Sequence, residues 1–527
     1  MELGWRGVPC LLLNDKLETA QHPKANAIGA RSMEHFRRLG VAARLRKAGF
    51  PADHPTDVVY LTRLTGYELA RFPQPSSAAA VESARAGKGP WPTPEPPHRI
   101  SQIYLEAILR EHAGTFSPVT LRYGWRFESF RQETDHVVAE VVETETGRRE
   151  IIRAGYLVGC DGPRSQVRKQ LGIELEGESG VVRPFMGGSM LAVYFRAPSP
   201  RSWLAAEPAW MYWIVNSEIR AVFISIDGHE RFLFHTPIPP NTEPSSLDPG
   251  RLIHTAAGAD FPLEILSSLP WVAGYSLVAR SYGGDRVFLA GDSIHLFTPT
   301  GGLGMNTGLD DAVNLGWKLA ALYHGWGGPK LLDSYEAERR PLALRNVSFA
   351  RGFATSVGTV PVSEAIESDT VEAARERSSL GARLLDHARR EFIIPGIWLG
   401  VRYDRSPIVW PDGTSDPTDD PGVYIPAARP GARLPHLWLD DGASLFDRLG
   451  GGFTLLRLGG GRADTSGLEE AASRRRVPLE MLEIPSPAAR RLYERELVLV
   501  RPDHHVAWRD DTVPEDAAAV IDRVRGA

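Results

Sequence analysis

Between Gly284 and Leu322 the chain reads GDRVFLAGDSIHLFTPTGGLGMNTGLDDAVNLGWKLAAL, and no other stretch limits the fold as tightly. VFLAG is a short apolar run with the length of a buried strand. It stops at Gly291-Asp292 and passes through a loop holding Pro299, Gly301, Gly302 and Gly304. Met305-Asn306 then leads into an amphipathic helix with Val313, Leu315, Leu319 and Leu322 on its apolar side. A strand that delivers a carboxylate and then a glycine-rich helix entry belongs to an α/β fold with a parallel sheet. Asp292 is placed to accept hydrogen bonds from sugar-like hydroxyls, and free amides at the helix start suit electron-rich oxygen. A ligand-free turn is the competing reading, but the string is far longer than a chance motif.

Two further stretches carry chemistry. YLVGCDGPRSQVRKQLGI (156–173) is a strand ending at Asp161-Gly162, with Arg164, Ser165 and Arg168 at the start of the next helix. Ligands of open parallel sheets bind at that edge; the alternative is a helix capped by Ser165 with both arginines solvated. In HPKANAIGARSMEHFRRLG (22–40), Arg31 starts a helix with Met33, Phe36 and Leu39 on its apolar side. It is either a phosphate clamp or a surface charge. At the N-terminus, MELGWRGVPCLLLNDK reads as a helix end, a turn and a strand, Leu11–Leu13, buried on both faces. The partner strand and the rest of that helix are expected upstream of Met1.

Composition narrows the function classes. With 60 basic and 65 acidic residues and a net charge of -5, the chain offers no basic field for nucleic acid. No signal peptide or spanning apolar stretch appears, so a soluble cytoplasmic protein without membrane contact is expected. Cys10 and Cys160 form no metal-ligand cluster and read as two buried structural thiols; no metal is expected. His22, His54, His98 and His295 are scattered, with neither a nucleophile elbow nor H-E-x-x-H, which disfavours a hydrolase.

Residues 74–97 are rich in Pro, Ser, Ala and Gly and read as an excursion or lid rather than core. SQIYLEAILREHA is a helix with Ile103, Leu105, Ile108 and Leu109 together, and residues 119–160 are strands with a hairpin at Thr146-Gly147. Residues 185–235 carry four aromatic-rich strands, a second sheet covering something flat and apolar. Alternate members of Tyr194, Phe195, Trp210, Tyr212, Trp213 and Phe223 should face a cavity, although any one of them can equally pack the core. Helices follow near 308–324 and over SYEAERRPLALRNVSFARGF, then a linker over 403–436 and a small α/β unit.

Taken together, the 284–322 string, YLVGCDGPRS and HPKANAIGARSMEHFRRLG resemble the single-component (group A) FAD-dependent aromatic hydroxylases of the para-hydroxybenzoate hydroxylase type. PGARLPHLWL, GFTLLRL and LVLVRPDHHVAWR resemble the thioredoxin-like C-terminal domain of the phenol and polyketide hydroxylase branch; without a dithiol its role here is structural. The resemblance implies a doubly wound, Rossmann-like FAD-binding domain, truncated at its N-terminus, a β-sheet substrate domain and that C-terminal domain. The implied segments are 1–180 (first FAD-binding part, with 55–97 reaching toward the substrate domain), 181–275 (substrate sheet), 276–355 (second FAD-binding part), 356–420 (helical segment and linker) and 421–527.

Site roles follow from the same resemblance. Gly291-Asp292 matches the segment holding the FAD ribityl chain. Gly302, Leu303, Gly304, Met305 and Asn306 match the loop whose amides face the flavin pyrimidine, and Pro299 the catalytic proline near oxygen activation. Asp161-Gly162 matches a motif used for both FAD and NAD(P)H, and Arg31 and Gln102 positions contacting the diphosphate and ribityl regions. Asn14 stands where most relatives carry an acidic residue for the adenosine ribose. The family's G-x-G-x-x-G is expected about thirty codons upstream, in an earlier gene start. The implied activity is monooxygenation of a phenolic or polyketide-like ring with O2 and NAD(P)H through a C4a-hydroperoxyflavin; a homodimer is a candidate assembly. Open beside it stand a Baeyer-Villiger-type monooxygenase acting on a ketone and a flavin-free binding or scaffold relative.

Overall fold

The computed structural model describes residues 1–179, 187–198, 203–358 and 360–527; the side chains of 354–358 are not described. The border expected between residues 180 and 181 lies outside the described residues.

The α/β part is built around two sets of parallel pairs. Strand Cys10–Asn14 runs parallel to Val119–Tyr123, and strand Leu157–Gly159 runs parallel to Val287–Leu289. Leu157, Val158 and Gly159 stand opposite Val287, Phe288 and Leu289, so two strands end side by side, one entering Asp161-Gly162 and the other Gly291-Asp292. Leu11 and Leu12, expected to be buried on both faces, are 36% and 42% exposed. The cause is local: among the described residues this strand pairs only with Val119–Tyr123, which leaves its other edge open. Cys160 is exposed and Cys10 only partly buried, so neither is a core thiol.

The second sheet has seven strands. Four come from the aromatic-rich block, Gly188–Arg196, Met211–Val215, Arg220–Ser225 and Arg231–Pro237. Strand Glu264–Ala273 lies at one edge, and Val58–Leu61 with Glu68–Phe72 complete the other. The 55–97 excursion therefore supplies two strands of this sheet, joined by parallel pairing of Val58–Leu61 to Met211–Ile214. The rest of it is less lid-like than its composition suggests. Ser76 caps a helix over Ser77–Arg85, and Glu95 is buried between Arg37 and Arg46.

Alternation sorts the aromatic residues onto two faces. Tyr194, Trp210 and Trp213 share one core with Tyr60 and the helix Val371–Phe392. Phe195, Tyr212 and Phe223 pack on the opposite face under the helix Pro249–Ala257. A third sheet, Leu479–Ile484, Phe453–Leu458, Leu497–Val500 and Val506–Asp510, forms the C-terminal unit, with one core of its own and a second shared with Trp317, Ala321, Trp326 and Leu331. Among the described residues no helix is long and apolar enough to cross a membrane.

The 21-residue helix Leu303–Tyr323 departs from the amphipathic pattern expected of it. From Val313 to Ala321 it is buried all round, and Asp310, Asp311, Asn314 and Lys318 lie inside with Leu303, Leu315 and Leu319, while Gly304, Met305, Gly308 and Leu309 are half-buried. A buried charge is tolerated only when paired. Here Arg339 takes Asp310 at 2.7 Å and Asp311 at 2.8 Å, and Glu338 takes Lys318 at 2.7 Å.

Candidate active site

The site is the edge where the two parallel strands end. At Asp161 the chain turns into the helix Gln166–Gln170, and the Asp161 carboxylate accepts from Ser165 Oγ and the Gln166 and Val167 amides at 2.5, 2.6 and 3.1 Å. Ser165 itself caps the helix through the Arg168 amide. Arg168, one of two arginines open to a solvated reading, is buried and ties the two strand ends together. It donates to the carbonyls of Ser293 (2.8 Å) and Pro163 (3.1 Å). Arg164 is exposed.

On the neighbouring strand end, Ser293 Oγ donates to the Gly159 carbonyl at 2.8 Å, which fixes the Gly291–Ser293 turn against its partner. That leaves the Asp292 side chain open to solvent. Crowding by protein pushes its carboxyl above the ordinary range, while His295 and Lys24 pull it back. Gly291 is left-handed at φ 66°, and a Cβ on Gly308 would stand 3.0 Å from the Gly291 Cα. Glycine thus serves the turn at both positions, at Gly291 for its left-handed backbone and at Gly308 for the close approach.

Pro299 stands exposed between Thr298 and Thr300, whose buried hydroxyls are 3.2 Å apart; Thr300 Oγ1 continues to the Ala350 carbonyl at 2.8 Å. Gly301 and Gly302 are left-handed (φ 70° and 64°), and no side chain caps the helix that Leu303, Gly304 and Met305 begin. The first amides of a helix have no partner within it, so an uncapped N-terminus faces its surroundings with free donors and a positive dipole end.

Asn306 has a different duty from its neighbours. Its Oδ1 accepts from the Gly29 amide (2.8 Å) and Ser32 Oγ (2.7 Å), and its Nδ2 donates to the Ala27 and Gly302 carbonyls (2.9 and 2.7 Å). The side chain is a brace between the 22–40 segment and the glycine loop. Asn306→Ala is expected to cost about 2 kcal/mol or more, since it orphans the buried Gly29 amide. Thermal unfolding of the two proteins checks this, and an unchanged midpoint would refute the brace.

Three sequence-derived candidates sit differently from the simple contact picture. The Arg31 guanidinium is buried, at 3.0 Å from Glu34, 3.6 Å from Asp310 and 2.5 Å from the Asp503 carbonyl, which places it inside a network rather than in an open cleft. Gln102 bonds the Ala25 amide (3.2 Å) and Glu106. Asn14 Oδ1 accepts from the Lys16 amide at 2.9 Å. Gly162 is a left-handed turn residue (φ 77°) beside Asp161.

Sequence reading missed the charge cluster beneath the loop. His295 Nε2 lies 2.6 Å from Asp311, whose other oxygen takes Arg339, and Arg339 passes to Asp310 and on to His35 at 2.8 Å. The Gly291 amide also donates to Asp311 at 3.3 Å. Five side chains from four segments thus hold the Gly-Asp turn over the helix. Asp310-Asp311 in TGLDDAVNL was the only local signal, two adjacent acids in an otherwise apolar helix.

Comparison with known proteins identifies the family. Residues 1–350 match the family described as FAD binding domain, and residues 427–527 match aromatic-ring hydroxylase, C-terminal. The tetracenomycin B2 monooxygenase-dioxygenase of Streptomyces olivaceus is 32% identical, over 98% of this chain and 94% of that protein. Among solved structures, native and K252c-bound RebC-10x has a TM-score of 0.90 at 37% identity, covering 100% of this chain and 96% of that one. A ternary complex of aklavinone-11 hydroxylase with FAD and aklavinone has a TM-score of 0.82 at 29% identity, with 100% and 96% covered. The chain belongs to the FAD-dependent aromatic-ring hydroxylases and is a flavin-dependent monooxygenase.

Proposed function

We propose that this protein hydroxylates a phenolic or fused polyketide-like ring with O2 and NAD(P)H, holding FAD between Asp292 and the glycine loop. The observation that carries the reading is a convergence. An open carboxylate at a strand end and an uncapped 21-residue helix with two left-handed glycines before it flank one loop, and Glu391, in the helix packed on the aromatic sheet face, accepts from the Gly301 amide of that loop. This donor set fits FAD: Asp292 offers acceptors to ribityl hydroxyls, and the amides of the first helical turn, up to Met305, offer donors to the pyrimidine oxygens. Relatives named as a tetracenomycin B2 monooxygenase-dioxygenase, an aklavinone-11 hydroxylase, a putative polyketide hydroxylase and a 2,4-dichlorophenol 6-monooxygenase support a phenolic or polyketide-like substrate.

When bound, FAD supplies acceptance of a hydride from NAD(P)H and delivery of activated oxygen to the ring. The chain orients, excludes water and stabilises charge. Pro299 presents an apolar surface at the loop apex, and the uncapped helix end favours negative charge developing nearby. Tyr60, Tyr194 and Trp213, buried in the core on that face of the sheet, are the aromatic side chains we assign to the ring-binding side. The Asp161 carboxylate holds the Gln166–Gln170 helix beside the cleft, the place we assign to NAD(P)H-linked reduction.

Asp292→Ala is expected to weaken FAD binding about tenfold to a hundredfold, by loss of charge-assisted hydrogen bonds of about 1.5–3 kcal/mol. Quenching of FAD fluorescence on titration with protein measures this; equal affinity of both proteins would remove Asp292 from the site. The function is tested by oxygen uptake: a phenolic substrate should stimulate NAD(P)H oxidation and gain one hydroxyl. NAD(P)H oxidation indifferent to every aromatic compound offered would oppose it.

A further inference from the structure

Arg99 forms the short strand His98–Arg99 beside Ala27–Ile28 and sends its side chain toward the aromatic face of the seven-stranded sheet. Its guanidinium lies 3.9 Å from the Trp210 ring centre and 5.8 Å from that of Phe392. One Nη donates to Gln74 Oε1 at 3.1 Å, and among the described residues that neutral oxygen is its only hydrogen-bond partner and no ion pair forms. Crowding by protein pushes the guanidinium down to about 10, with Glu391 acting in the opposite direction. Glu391 is already engaged, accepting from the Gly301 amide at 2.9 Å and meeting His387 Nε2 at 2.8 Å. Through Glu391 this spot adjoins the glycine loop that carries Pro299.

The neighbours are short of acceptors. Trp210 Nε1, Gln74 Nε2 and Tyr60 Oη are buried and have no hydrogen-bond partner among the described residues. An indole N–H and an amide NH2 only donate, and a phenol can donate. Orphaned buried donors beside a cation that lacks a counter-ion are costly unless something else supplies the acceptor. A guanidinium held over an indole face also keeps its N–H fork available to a carboxylate.

We propose that Arg99, stacked on Trp210, receives a carboxylate borne by the aromatic substrate, so that the protein selects ring systems carrying an acid group. This rests on the aromatic-ring reading above and narrows it to one substrate class.

The test follows tryptophan fluorescence of the full chain during titration with anthracene-2-carboxylate and with its methyl ester at neutral pH. The acid should bind about tenfold tighter or better than the ester. Arg99→Gln should erase that preference while leaving ester affinity within about twofold, and Arg99→Lys should retain part of it. Equal affinity for acid and ester in the unaltered protein, or a preference that survives in Arg99→Gln, overturns the assignment. Binding of neither compound overturns it together with the aromatic-cavity reading, which separates the two failures. If Arg99→Gln proves unfolded by circular dichroism, the acid-to-ester ratios of the unaltered and Arg99→Lys proteins decide.

Discussion

Glu338→Ala is expected to lower the unfolding free energy by about 3–5 kcal/mol, because it removes the anion shared by two buried cations. Glu338 lies in the helix Asp333–Gly358 and is 1% exposed. Its Oε1 accepts from Ser406 Oγ (2.5 Å) and Arg501 Nη1 (2.6 Å); its Oε2 accepts from Asn314 Nδ2 (2.7 Å), Lys318 Nζ (2.7 Å) and Arg501 Nη2 (2.9 Å). Arg501 turns its remaining N–H groups on Asp503, which also takes the indole N–H of Trp317 at 3.2 Å. Two cations and two carboxylates therefore make a neutral buried quartet that joins the cofactor-domain helices to the C-terminal unit. Burial alone would raise the Glu338 carboxyl; Arg501 and Lys318 outweigh it and hold it at about 2, while burial brings Lys318 down to about 8.

Deleting the glutamate leaves one net positive charge in the core. Lys318→Met in the same background removes that surplus and should recover part of the loss. Urea unfolding of the single and double variants gives the coupling directly. A Glu338→Ala protein as stable as its parent would show that the quartet contributes nothing to holding the two units together.

Acidification is expected to destabilise the protein from pH 6.5 downward, before ordinary carboxylates titrate. His35 and His98 are buried and held neutral. Burial, then Arg31, brings His35 down to about 4, with Asp310 opposing; burial, then Arg46, brings His98 down to about 3. Unfolded histidines take up protons near 6.5, so the unfolded state binds more protons below that pH. The stabilisation is complete above 6.5 and is lost as the pH falls toward the folded values. At pH 5 each histidine accounts for about 2 kcal/mol, from about 1.36 kcal/mol per pH unit. Carboxylates held low, such as Glu34 and Glu338 at about 2, add a second loss below their ordinary range near 4.5. Melting temperatures across pH 8 to 4 should show two descending limbs, and His98→Gln should shallow the upper one. A flat profile down to pH 5 would contradict the burial of these rings.

Local pattern revealed the parts of the fold that depend on neighbours in sequence. The strand, turn and helix of 284–322 stand where glycine and apolar spacing place them, and the pleat sends Tyr194 and Phe195 to opposite cores. Ionic partners follow no such rule. Glu34 meets Arg433 across 399 residues and Glu338 meets Arg501 across 163, so a charge in an apolar helix gives no hint of its mate. Arg31, at a helix start, is joined in the fold by Glu34 one turn on and by Asp310 from a distant helix, and only the second partner lies beyond the reach of local pattern. Arg99 was equally invisible, since its significance lies in what it lacks.

The most direct measurement is the fate of molecular oxygen labelled with oxygen-18. Protein reconstituted with FAD and supplied with NAD(P)H, labelled oxygen and a phenolic substrate should yield a product with one label, in a new ring hydroxyl. Label inserted beside a carbonyl as a lactone, or product oxygen drawn from water, would contradict aromatic hydroxylation at this site.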